Sequence, residues 1–114
     1  MSKGFDTYVE SGIRALKQLD NYGEVARKVR DIISAFWKDS KVYVFGSVTK
    51  GRQTAMSDID ILIVVNGVSR EQALAVEARI YSSIDAPIEL HVASAEEFGH
   101  WYKRFIDRFE EIPS

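Results

Sequence analysis

The spacing of apolar residues along the chain switches between helical and extended periods. Residues 5–20 carry apolar side chains at helical spacing, and the same spacing resumes over residues 22–37 after a break at Asn21. We predict one helix in each of these two segments, with one long kinked helix as the alternative. Residues 41–45 and 58–65 are short apolar runs typical of strands. The second run is unbroken, which predicts a strand that is buried on both faces of a sheet.

The second half of the chain continues the alternation of helix and strand. A capping box that starts at Ser69 predicts a helix over residues 70–83. Residues 88–93 alternate strictly between apolar and polar side chains, which predicts a strand with one polar face. A second capping box starts at Ser94 and predicts a final helix that runs to about residue 109. The order α-α-β-β-α-β-α predicts an α+β fold in which about three strands form a small sheet with helices on one face.

Composition narrows the classes of function. The 114 residues suit a single domain over residues 1–114. The absence of cysteine excludes disulfides, thiolate metal sites and a cysteine nucleophile. A net charge of −2 provides no long-range attraction for nucleic acid, which favours a small-molecule or protein partner. No apolar run approaches the roughly 20 residues that span a bilayer, and the N-terminus lacks the apolar core of a signal peptide. We therefore expect a cytoplasmic protein without a membrane partner.

Two aspartates stand one residue apart where the second apolar run begins. Side chains two positions apart on a strand share a face, so Asp58 and Asp60 would lie roughly 7 Å apart and repel each other. A hard divalent ion such as Mg²⁺ relieves that repulsion because it binds carboxylate oxygens. Gly46 and Ser47 end the first apolar run, and a glycine turn lets backbone amides approach a phosphate closely. These residues predict a phosphate cradle next to a metal site.

The stretch from residue 42 to residue 65 resembles the signature of the minimal nucleotidyltransferases of the DNA polymerase beta superfamily. That signature is a strand, Gly-Ser, a basic turn, Ser-Asp-Ile-Asp and a hydrophobic strand. The matching residues are Gly46-Ser47, Gly51-Arg52 and Ser57-Asp58-Ile59-Asp60. The family usually has Ala-Arg-Gly where this chain has Thr49-Lys50-Gly51, so the positive charge of the turn becomes the point charge of a lysine. The resemblance implies a short mixed sheet with helices packed on one side.

The resemblance also implies an activity and a set of site residues. The expected reaction is transfer of a nucleoside monophosphate from a nucleoside triphosphate such as ATP to an acceptor hydroxyl, with two Mg²⁺ or Mn²⁺ ions. The expected catalytic and metal-binding residues are Asp58, Asp60 and Glu89, although the family more often has Asp at the third position. The expected nucleotide-binding residues are Gly46, Ser47, Lys50 and Arg52. His91, on the same predicted face as Glu89, and Ser57 are candidates for supporting the site.

The resemblance further implies a partner, because larger relatives hold the acceptor with an additional domain for which this chain has no room. The expected partner is a helical HEPN-type protein, with this chain as the antitoxin of a toxin–antitoxin pair, or a second copy of the chain. The expected interface residues are the aromatic side chains of Tyr22, Phe36, Trp37, Trp101 and Tyr102. Two alternatives stay open: an antitoxin module that binds its partner with little or no catalysis, and a metal-dependent nuclease. The nuclease would leave Gly46-Ser47 unexplained.

Overall fold

The computed structural model of the protein describes most of the chain, namely residues 3–54, 56–105 and 108–114, and excludes the side chains of residues 3–8, 101 and 105. The helices are α1 (Lys3–Asp20), α2 (Tyr22–Phe36) and α3 (Arg70–Ser83). The strands are β1 (Lys41–Phe45), β2 (Ile59–Val64), β3 (Ile88–Ala93) and β4 (Glu110–Ile112). A 3₁₀ helix spans Ser47–Lys50. The C-terminal helical segment comprises an α-helical turn at Ala95–Glu97, a π-helical turn at Phe98–Tyr102 and an α-helical turn at Lys103–Phe105.

Within the described residues, the strands form one mixed sheet in the order β3-β2-β1-β4. β1 is antiparallel to both of its neighbours, β2 and β4, whereas β2 and β3 are parallel. Parallel neighbours need a crossover connection, and α3 provides it. The predicted α+β class and mixed sheet are therefore confirmed.

The two predicted capping boxes both form and set the starts of the elements that follow β2 and β3. The backbone N–H of Gln72 donates to the Ser69 hydroxyl at 3.1 Å, and the backbone N–H of Ser69 donates to the Gln72 side chain at 2.9 Å. Ser94 and Glu97 make the same reciprocal pair, each bond 3.1 Å long. These bonds satisfy backbone donors that a helix start leaves unpaired.

One face of the sheet packs against α2, α3 and the end of α1. Alternate residues of β2 point to this face, and Ile59, Ile61 and Ile63 are fully buried there. Val29 and Ile33 of α2 cover them from the helix side and are equally inaccessible. Each such side chain contributes about 1.5–3 kcal/mol of hydrophobic stabilisation. This face is the main core of the domain.

The opposite face of the sheet carries a second, smaller core, so helices do not pack on one face alone. Phe45, Leu62 and Val64 are buried on this face. The C-terminal helical segment covers them, with Phe98 stacked on Tyr43 at a centroid distance of 5.0 Å. This segment crosses the second face because three large apolar side chains there would otherwise meet water. The unbroken apolar run of β2 already predicted burial on both faces, and that prediction is confirmed.

The C-terminus differs from the predicted helix to about residue 109. The described helical segment ends at Phe105, and the chain then adds β4, which pairs with β1. The Tyr22 hydroxyl donates to the Glu110 carboxylate at 2.6 Å, and this bond raises the pKa of Tyr22. The same bond links β4 to α2. With β4 added, the sheet has four described strands rather than about three. A strand of three residues is too short for an alternation pattern to reveal.

Helix α1 contacts the rest of the domain mainly through its last turn. Leu19 is fully buried, whereas Val9, Ile13 and Leu16 are 44%, 51% and 38% exposed. The helical stripe predicted for this segment is therefore largely uncovered where it is described. The side chains of Phe5 and Tyr8, predicted to lie on the same stripe, are outside the described residues. No described helix is both long enough and apolar enough to cross a membrane.

Candidate active site

The register of the two parallel strands brings two acids together on the second face of the sheet. Asp60 of β2 is the ladder partner of Glu89 of β3. Their sequence neighbours Ile61 and Leu90 point into the main core, so both carboxylates point to the opposite face. The Asp60 side chain is 24% exposed and that of Glu89 is 55% exposed. Both carboxylates therefore reach solvent on this face.

His91 completes a group of three possible metal ligands. One ligand atom each from Asp60, Glu89 and His91 lie within 4.8 Å of one another. The Nε2 atom of His91 is 3.8 Å from Asp60 Oδ1 and 3.9 Å from Glu89 Oε1. The structure thus confirms the predicted shared face of Glu89 and His91 and adds Asp60 to it.

The distances from His91 to the two acids fit a divalent ion. Two ligand atoms bound to one ion at about 2.1 Å each can be at most about 4.2 Å apart. Both His91 distances lie below that limit, and both exceed the length of a hydrogen bond. His91 Nε2 is buried, and no hydrogen-bond partner for it occurs among the described residues. Carboxylate oxygens and an imidazole nitrogen are ordinary ligands of divalent metals. The residues present therefore fit a metal site.

The groups around His91 raise its pKa. Asp60 has the largest effect: its carboxylate, 3.8 Å from Nε2, favours the protonated imidazole and raises the pKa of His91. Partial burial of the ring opposes this increase, and the charge of Glu89 adds to it. The rings of Phe45 and Tyr102 lie 5.3 and 6.3 Å from the imidazole and form an aromatic wall beside it. Sequence reasoning did not identify this wall, because it depends on how the C-terminal helical segment crosses the sheet.

The Gly46 turn lies directly against Asp60. Phe45, the last residue of β1, pairs with Asp60 in the antiparallel ladder, so Gly46 follows at the same end of the sheet. Gly46 has φ = 86°, which favours glycine. A Cβ atom at this position would overlap the Asp60 carboxylate. The turn and the acid therefore approach as closely as only a glycine permits.

The 3₁₀ helix Ser47–Lys50 holds this turn in place. The Thr49 hydroxyl donates to the Gly46 carbonyl at 2.8 Å, and the Arg52 N–H donates to the Ser47 carbonyl at 3.0 Å. Thr49 is buried, whereas Lys50 and Arg52 are exposed. The loop thus combines a fixed Gly46-Ser47 turn with two basic side chains at the surface.

Asp58 and Ser57 lie outside the group of three ligands. β2 begins at Ile59, so Asp58 stands one residue before the strand, where its side chain is exposed. The Ser57 hydroxyl accepts a hydrogen bond from the Thr54 N–H at 2.9 Å within the loop. Of the residues predicted from the sequence, the structure brings together Asp60, Glu89 and His91, with Gly46 against Asp60. Asp58 and Ser57 remain on the adjoining loop.

Comparison with known proteins agrees with this geometry. The sequence profile of the nucleotidyltransferase domain matches residues 26–112, a span that contains all the candidate site residues. A crystal structure of a presumed nucleotidyltransferase is 26% identical, with a TM-score of 0.65 over 76% of this chain and 96% of that one. A presumed nucleotidyltransferase from Sulfolobus solfataricus is 23% identical, with a TM-score of 0.57 over 90% of this chain and 83% of that one, and shows the shared fold. No protein of curated function matches the chain. Since the profile covers most of its length, the chain belongs to the nucleotidyltransferase domain family.

Proposed function

We propose that the chain transfers a nucleoside monophosphate from a nucleoside triphosphate, ATP being the first candidate, to an acceptor hydroxyl. One observation supports this most strongly. Asp60 is the ladder partner of Glu89, and its carboxylate occupies the space that a Cβ atom at position 46 would need. An acid pair and a glycine turn are therefore adjacent, which suits a metal-bound triphosphate.

Each residue has a proposed task in this reaction. The amides of the Gly46-Ser47 turn and the Ser47 hydroxyl would bind the outer phosphates, and Lys50 and Arg52 would balance the charge of the leaving pyrophosphate. Asp60 and Glu89, with Asp58 from the loop, would hold the two Mg²⁺ or Mn²⁺ ions. Ions bound there would supply positive charge opposite the phosphates.

The exposed Glu89 is the proposed base. Its side chain is the most accessible of the three ligands, so an incoming hydroxyl can reach it. Glu89 would accept the hydroxyl proton as the acceptor oxygen bonds to the α-phosphorus. The bond from the α-phosphorus to the bridging oxygen breaks, and pyrophosphate leaves with those electrons. The acceptor then carries the nucleoside monophosphate.

Isotope position tests the reaction directly. Purified protein is incubated with Mg²⁺ or Mn²⁺, native extract as the source of acceptor, and ATP labelled at either the α- or the γ-phosphorus. We expect α-label to become attached to an acceptor, and γ-label to appear in pyrophosphate. Attachment of the γ-label to an acceptor would instead mean phosphoryl transfer. If neither label becomes attached to an acceptor, the proposal is contradicted.

We also propose that the chain works with a helical partner, of which a HEPN-type toxin is the first candidate and a second copy the alternative. Among the predicted interface residues, Phe36 is 52% exposed, whereas Tyr22, Trp37 and Tyr102 pack against the two cores. The Trp101 side chain is outside the described residues. The uncovered stripe of α1 therefore supports a partner better than those aromatics do. This stripe lies before residue 26, where the family match begins. An antitoxin in the cytoplasm that binds its partner without catalysis would use the same surface.

The partner proposal predicts that α1 carries the association. Changing Val9, Ile13 and Leu16 to serine should abolish the complex with the helical product of a neighbouring gene, measured by analytical ultracentrifugation of the co-expressed proteins. These side chains are exposed, so the fold should survive. The control is Leu74→Ser, which removes a leucine of α3 that is 51% exposed. The partner proposal would be contradicted if the complex survives the triple change. It would also be contradicted if the wild-type chain stays strictly monomeric when the helical protein is co-expressed. Either outcome leaves the transferase proposal standing.

A further inference from the structure

The Nε2 atom of His91 is the least satisfied polar atom around the two acids. It is buried and lacks a hydrogen-bond partner among the described residues, although two carboxylates lie within 4 Å of it. A histidine that served only to neutralise the acids would gain from closing one of these gaps, since a charge-assisted hydrogen bond is 2.7–2.9 Å long. The observed gaps of 3.8 and 3.9 Å leave room for an ion between nitrogen and oxygen.

The position of His91 also makes it a fixed part of the site. It follows Glu89 by two residues on β3, pairs with Leu62 of β2 and therefore shares the face of both acids. The Phe45 and Tyr102 rings stand beside the imidazole. The ring is thus supported by packing on a strand, as a ligand that must hold its position requires.

Nitrogen in the ligand set changes which ion the site prefers. Mg²⁺ takes oxygen ligands in near-ideal octahedral geometry, whereas imidazole suits transition metals. Mn²⁺ accepts the same octahedral oxygen sites as Mg²⁺, and a nitrogen ligand shifts the balance towards the first-row transition ion. We propose that His91 is itself a ligand of the ion held by Asp60 and Glu89, and that the site consequently prefers Mn²⁺ to Mg²⁺. The inference rests on the proposed function in that it concerns the same ion.

The test measures the ion alone, without nucleotide. Calorimetric titration of the wild-type protein should give a lower Kd for Mn²⁺ than for Mg²⁺. Loss of the His91 side chain should raise the Kd for Mn²⁺ at least about tenfold, because loss of even an outer-shell contact lowers metal affinity by ten- to a hundredfold. The His91→Gln variant should lose this preference. The His91→Asp variant, with oxygen ligands throughout, should bind Mg²⁺ at least as well as the wild type. The control is His100→Gln, because the chain has two histidines and His100 is exposed.

A spectroscopic measurement shows the bond itself. Pulsed electron paramagnetic resonance of the Mn²⁺-loaded protein should show coupling to a ¹⁴N nucleus in the wild type and in His100→Gln, and no such coupling in His91→Gln. Circular dichroism establishes that each variant is folded. Equal Mg²⁺ and Mn²⁺ affinities in the wild type, absent Mn²⁺ binding, or ¹⁴N coupling that survives His91→Gln would each overturn the inference.

These outcomes are independent of the transfer assay. If nitrogen coordination is found but no α-label is transferred, the proposed function fails and the role of His91 stands. If α-label is transferred but Mn²⁺ shows no nitrogen coupling, His91 is not a ligand and the transferase proposal stands.

Discussion

Replacing Asp60 by asparagine is expected to lower nucleotidyl transfer by at least about a hundredfold, the scale on which loss of one electrostatic contact to the transition state acts. The change keeps the shape of the side chain and removes its charge. Asp60 is ladder partner to Glu89, lies 3.8 Å from His91 and sits against Gly46. Its carboxylate therefore takes part in both the metal site and the phosphate turn, and neither Glu89 nor His91 can replace it from β3.

The measurement is the initial rate of α-label transfer at saturating ATP. The control is Asp85→Asn, because the Asp85 side chain is 91% exposed and its loss changes the net charge by the same amount. Thermal unfolding of both variants shows whether the fold is retained. An Asp60→Asn protein that is folded and keeps more than a tenth of the wild-type rate would show that the reaction does not depend on this carboxylate.

Replacing Gly46 by alanine is expected to impair both stability and activity. Gly46 combines φ = 86° with ψ = −160°, a backbone conformation that is essentially confined to glycine and costs other residues about 1–3 kcal/mol. In addition, the new Cβ would overlap the Asp60 carboxylate, so either the turn or the acid must move. A misplacement of about 1 Å in a catalytic group can cost about a hundredfold in rate. We expect a loss of transfer of at least tenfold.

The Gly67→Ala variant separates the effect of the backbone conformation from the effect of the contact with Asp60. Gly67 also has a positive φ, of 72°, but a Cβ there would meet open space. This variant should lose less stability than Gly46→Ala, because only the backbone conformation opposes it, and it should keep its transfer rate. Chemical denaturation and the α-label assay measure the two properties. If both glycine variants retain full activity, the close approach of Gly46 to Asp60 has no role in the reaction.

Much of the fold could be predicted because the sequence marks the ends of its elements. The capping boxes at Ser69 and Ser94 form as expected, and the alternation over residues 88–93 assigns Glu89 to the polar face. β4 and the packing of the C-terminal helical segment on the second face could not be predicted. β4 has three residues and depends on pairing with β1, and the C-terminal segment depends on apolar side chains from β1 and β2. Both features are products of tertiary contacts, for which local sequence has no signal.

The candidate site could be predicted only in part, because it depends on strand register as well as on local spacing. The spacing of Asp58 and Asp60 suggested a pair on one strand face, but β2 starts between them and leaves Asp58 on the loop. The strand register, which local spacing does not determine, brings Glu89 and His91 to Asp60 instead. The role of Gly46 was expected from its turn, whereas its contact with Asp60 follows from the β1–β2 ladder.

The central claim is that a nucleoside triphosphate binds at Asp60 through a divalent ion. Calorimetric titration of ATP into the wild-type protein and into Asp60→Asn, with Mn²⁺ or Mg²⁺ and with the ion chelated, tests it most directly. We expect binding by the wild type only when the ion is present, and no ion-dependent binding by Asp60→Asn. Equal affinity of the wild type for ATP with and without the ion would contradict it.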